Sequence, residues 1–154
     1  MSKMLSLTCF LSLIGLSLAI AGCPMQTADQ PMTFNVTLSG GAEVPTATGT
    51  GSGTGTATLS ADRTKLDYQF TASGLTGAVT AAHFHNAAAG VAGSVIFGIG
   101  DTVSETNGQV SASGTWVFDT TNDIDEAAEI LAGNIYINFH TAENPPGELR
   151  GQIQ

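Results

Sequence analysis

Three histidines, His83, His85 and His140, are the side chains on which metal or acid-base chemistry in this chain would have to rest. In Ala81-Ala82-His83-Phe84-His85 two of them stand two residues apart. Successive side chains on a strand alternate between faces, so both imidazoles would share one face and Phe84 would take the other. In Ile135-Tyr136-Ile137-Asn138-Phe139-His140 the apolar Ile135, Ile137 and Phe139 share a face, which leaves Tyr136, Asn138 and His140 opposite. If Phe84 and Phe139 point into a core, all three imidazoles lie on the non-core side. A His-x-His pair joined by a third imidazole from another strand makes a trigonal set suited to copper or zinc, and catalysis would need an open fourth position. Three nitrogens at roughly 2.0–2.1 Å from one ion must lie within about 4 Å of one another. The competing reading has the histidines hydrogen-bonding to nearby loops or the acidic surface, and spacing does not say whether the two strands are neighbours.

The elements that would carry these residues read as β throughout. From Met32 onward Gly, Thr, Ser, Ala and Val dominate, and apolar residues alternate with polar ones. Alternation at period two marks half-buried strands. Strands are predicted near 32–39, 54–61, 65–73, 79–86, 94–98, 109–118, 134–140 and 148–153. Breaks such as Gly40-Gly41, Asp62-Arg63, Gly74, Gly90, Asn107-Gly108 and Gly133-Asn134 separate them. Many short strands at this spacing predict an all-β fold, a Greek-key antiparallel sandwich or barrel. The exception is Asp125 to Leu131, which is rich in helix formers, ends before Gly133 and predicts one short helical turn. Its acids sit at the N-terminal end, where the helix dipole favours negative charge. Asp119, Asp123 and Asp125 as calcium ligands would lack the glycine and closing glutamate of a calcium loop. The glycine-rich run from 49 to 56 has no lysine or helix after it, so it reads as a flexible loop or edge leading into a strand rather than a phosphate cradle.

Residues 1–22 differ from the rest: one cation at Lys3, an apolar run from Leu5 to Ile20, and no acid. That is a signal peptide in composition. The run ends in Ile20-Ala21-Gly22-Cys23, which resembles the lipobox at which bacterial lipoproteins are cleaved and diacylated, so Cys23 is the expected lipidation site. Residues 23–31 would then form a lipidated N-terminus and tether, and 32–154 the single β domain. Cys9 lies inside the leader, so no disulfide is expected. Cleavage also removes Lys3, leaving three cations against thirteen acids, a formal charge of −10. Such a surface repels nucleic acid. The expected location is the bacterial envelope, facing the periplasm or the exterior, with the membrane held through lipid and an unidentified envelope protein or glycan as partner.

A family resemblance spans this domain. Leu38-Ser39-Gly40-Gly41-Ala42-Glu43-Val44-Pro45 resembles the opening of chordin-type (CHRD) domains. Ser73-Gly74-Leu75-Thr76-Gly77 followed by Thr80-Ala81-Ala82-His83-Phe84-His85 resembles their central motif. Leu131 through Thr141 and Asn144 through Ile153 resemble their ending. The family takes its name from repeats in chordin, an extracellular antagonist of bone morphogenetic proteins, and also occurs as single domains in bacteria. The resemblance implies an extracytoplasmic module with no established catalytic activity. Gly74-Leu75 and His83-Phe84-His85 are also similar, more weakly, to the copper-binding region of copper-zinc superoxide dismutases, which are Greek-key β-sandwiches. No histidine remains for their bridging role or zinc site, and the paired cysteines are missing. Two functional expectations follow: a lipid-anchored, non-catalytic binding or structural module, or a copper-binding protein using His83, His85 and His140 for sequestration or redox chemistry. On the last strand Glu148 and Arg150 share a face, and the arginine calls for a carboxylate partner. Glu43 and Glu148 are the candidates for an ion pair that pins the chain ends.

Overall fold

The computed structural model describes residues 30–121 and 123–154. The leader, the cysteine at 23 and most of the tether lie outside them. Nine strands follow in chain order: β1 (Met32–Ser39), β2 (Ser52–Leu59), β3 (Lys65–Ser73), β4 (Val79–Asn86), β5 (Ser94–Gly98), β6 (Val103–Thr106), β7 (Gln109–Val117), β8 (Ile135–Thr141) and β9 (Leu149–Gln152). One short helix, α1 (Glu126–Leu131), precedes β8, where the composition predicted a helical turn. All pairings are antiparallel, in the order β5-β4-β8-β9-β1-β2-β3-β7-β6.

β5 and β6 are the two edges of this sheet, yet only residues 99–102 connect them. A chain spans at most about 3.6 Å per residue, so the edges must lie close together. The sheet therefore curls on itself, and the Val79 N–H donates to Glu105 Oε2 at 3.3 Å across the seam. Curling places one face inside. Leu38, Leu59, Leu66, Phe70, Phe84, Ile137, Phe139 and Leu149 fill it, each with no more than 1% of its surface exposed. Phe84 sits at the centre, stacked on Trp116 with ring centroids 5.3 Å apart and edge-on to Tyr68 at 5.3 Å. Removing a buried aromatic of this kind costs about 3–5 kcal/mol.

Two expectations change. Most of the glycine run is strand and not loop: residues 49–51 lead in, but Ser52 to Thr56 already belong to β2, paired on both sides. A Cβ on Gly53 would stand 2.8 Å from Leu38 Cδ1 and 2.9 Å from Ala72 Cβ, so the bare backbone lets neighbouring core side chains close over the strand. β6 was not foreseen, because Val103-Ser104-Glu105-Thr106 is short and carries a single apolar residue. The acidic stretch before α1 is local structure. Asp125 Oδ1 accepts from the Ala128 N–H at 2.9 Å as the helix N-cap, and Asp119 accepts from the N–H and hydroxyl of Thr121 at 2.8 and 2.6 Å.

Candidate metal centre

β4 and β8 are neighbours. Their antiparallel register sets Ala81 opposite His140, His83 opposite Asn138 and His85 opposite Tyr136. His140 is therefore diagonal to His83, within reach of a ring side chain. Phe84 and Phe139 are fully buried in the core, so all three imidazoles fall on the other face, as the alternation required. Each of His83, His85 and His140 offers a ring nitrogen within 4.8 Å of the others. That is somewhat wider than a single ion demands, so the rings must draw together for all three to bind one. The His83–His140 pair is nearly at bonding geometry already, with Nδ1 and Nε2 3.1 Å apart against about 3.3 Å for two ligands on a tetrahedral ion.

Backbone carbonyls set the tautomers. A carbonyl only accepts, so Nδ1–H of His140 donates to Pro145 O at 2.9 Å and leaves Nε2 as its lone-pair nitrogen. His85 differs: its Nδ1 lies 3.0 Å from Gly93 O and its Nε2 3.1 Å from Asn138 Oδ1, both acceptors, so one of these contacts must open before the ring can offer a lone pair to an ion. His140 shows the pattern of ligand histidines in metal sites, one nitrogen held by an outer partner and the other left with its lone pair. The pKa of His83 is lowered, first by burial, then by the charges that His140 and His85 would carry. That of His140 is also lowered by burial, against the pull of the Pro145 carbonyl and with help from His85. Both rings are thus held neutral, the form that binds metal.

The site face of β8 is not solvated. Tyr136 and Asn138 are 3% and 1% exposed because the segment after β4 and the arginine of β9 lie over them. Tyr136 stacks on His85, with centroids 4.8 Å apart and planes 8° from parallel, and the Arg150 guanidinium carbon lies 3.4 Å from the centre of the Tyr136 ring. Arg150, 2% exposed, donates to Val91 O at 2.8 Å, Ala88 O at 3.0 Å and Gln152 Oε1 at 2.9 Å. It thus ties the 88–91 segment to β9 beside Tyr136.

The expected ion pair takes another form. Arg150 makes no salt bridge to Glu43 or Glu148 among the described residues. Glu148 accepts from the Thr76 N–H at 2.7 Å and from the hydroxyls of Thr76 and Thr141 at 2.6 Å each. Burial works to raise its pKa, but the bonds from Thr141, Thr76 and Asn144 outweigh it and hold the carboxyl below its usual range. Glu43 feels Arg150 only through space. Burial pushes its pKa up to about 7, against the opposing effects of Arg150, the Asn138 side chain and the Val44 N–H. Glu148 does join distant segments of the chain, but through threonines and not through arginine.

These features define an all-β, nearly closed barrel with a histidine cluster on the outer face of two central strands. The model of the CHRD domain family matches residues 34–153, and the chain belongs to that family. No curated protein and no solved structure matches it.

Proposed function

We propose that this CHRD protein is a lipid-anchored envelope module that binds one transition-metal ion, copper first, through His83, His85 and His140. The convergence of the three imidazoles carries the reading: two neutral rings already nearly at ligand spacing, and a third held by outer hydrogen bonds. Nitrogen donors of this kind favour Cu(II) over the other divalent first-row ions, with zinc the natural competitor. The role is to hold the ion, not to turn over a substrate. All three histidines of the chain serve as ligands, so none is left to act as a base. The leader composition and the Ile20-Ala21-Gly22-Cys23 sequence support cleavage and lipidation at Cys23, with the domain displayed outside the cytoplasm.

Copper titration of the purified protein by calorimetry, beside the double variant His83→Ala/His140→Ala, tests the metal reading. One-to-one binding that the variant loses supports it; equal heats from both proteins refute it. Cys23→Ser tests the anchor. The variant should leave the membrane fraction, and if it stays there the lipid reading fails.

A further inference from the structure

Six large apolar side chains stay exposed among the described residues, and five of them gather at one end of the barrel. Neighbouring strands run in opposite directions, so the starts of β1, β3, β5 and β8 share an end with the finishes of β2, β4, β7 and β9. Met32 opens β1, Val95 stands second in β5 and Val117 closes β7. Val91 lies in the turn from β4 to β5, and Leu131 ends α1 just before β8. Val117 is 68% exposed and Val91 53%. The sixth, Val44, follows β1 at the opposite end. From Asn86 to Gly100 the chain carries no charged residue, and Ala88, Ala89, Gly90 and Ala92 are exposed beside Val91. Arg150 holds this turn through the carbonyls of Ala88 and Val91, so its shape is set before anything covers it.

Apolar residues collected at one end, around a turn without charge, mark a surface made to meet a partner. The chain enters the barrel at that same end. Only eight residues, 24 to 31, separate Cys23 from Met32, and they reach at most about 30 Å. We infer that this end is a membrane-docking surface, on which Met32, Val91 and Val95 rest in the headgroup layer of the bilayer that holds the Cys23 lipid. The inference rests on the anchor reading above. A short tether keeps the local concentration of bilayer high, so a few aliphatic side chains suffice. Asp119, Asp123 and Asp125 are exposed at the same end and repel anionic headgroups. The surface therefore fits zwitterionic phospholipid.

With Cys9 in the leader and Cys23 lipidated, one introduced cysteine takes a single spin label. Full-length lipidated protein carrying Val91→Cys or, at the far end, Thr106→Cys is placed in phosphatidylcholine vesicles. The label's collisions with oxygen and with a water-soluble nickel chelate are then compared. Both positions are exposed, so neither change threatens the fold. The oxygen-to-nickel ratio at 91 should exceed that at 106 several-fold. It should fall back in the Val91→Cys/Val95→Glu double variant, and when anionic phosphatidylglycerol is mixed into the vesicles. Equal ratios at the two positions, in protein that stays with the vesicles, overturn the inference and leave the anchor standing. Spin–spin broadening at 91 with an aqueous ratio shows a second copy on this end and overturns it too. Protein that carries no lipid and leaves the vesicles removes the anchor, and the docking surface with it.

Discussion

His83 Nδ1 lies 3.1 Å from His140 Nε2, across two strands and at diagonal register positions. Because the Pro145 carbonyl holds the proton of His140 on Nδ1, its Nε2 accepts and His83 Nδ1–H donates. One proton is shared at the point where an ion would sit.

Copper affinity should therefore resist acid better than an ordinary histidine site. Both rings have lowered pKa values, so protons compete with the ion only below the usual 6.5. Calorimetric titrations between pH 5 and 8 should show affinity nearly level above 6.5 and falling below it. A midpoint of loss above 6.5 would count against neutral, pre-set ligands.

The pH dependence of folding stability should carry an opposite signature from Glu43. Its folded pKa, about 7, lies above the ordinary 4.5, so its contribution is complete below pH 4.5 and is lost as pH rises toward 7. The shift corresponds to about 3 kcal/mol at most. Glu43→Gln should match the parent in denaturant unfolding at pH 4 and exceed it at pH 8. His83 and His140 run the other way: their lowered pKa values remove stability as pH falls below 6.5.

Gly147→Ala should cost about 2–4 kcal/mol in urea unfolding. The added carbon meets Glu43 and Asn138, and the backbone there has φ +141°, where side chains are rarely accommodated. A near-neutral result would mean that the pocket around Glu43 relaxes freely.

Arg150→Met should lower the Tm by several degrees. It strands the carbonyls of Ala88 and Val91 and removes the cation from the Tyr136 ring, a loss of about 2–4 kcal/mol. An unchanged Tm would show that the 88–91 segment is held by other contacts.

Much of this architecture was legible in the residues. The pleat is a local property, so alternation alone assigned Phe84 and Phe139 to the core and the three histidines to the opposite face, and it located eight of the strands within about two residues. The capping of α1 by Asp125 was likewise written in its neighbours. Side-chain pattern was weakest where glycine replaced it: the start of β2 reads as loop because Gly53 and Gly55 show no alternation, though they sit where core groups leave no room for a Cβ. Only the tertiary structure decided that β4 and β8 pair, that Glu148 binds threonines and leaves Arg150 to carbonyls, and that Glu43 lies beside Asn138. Those outcomes depend on register and curl, which join residues from 50 to 100 positions apart through contacts that no local period encodes.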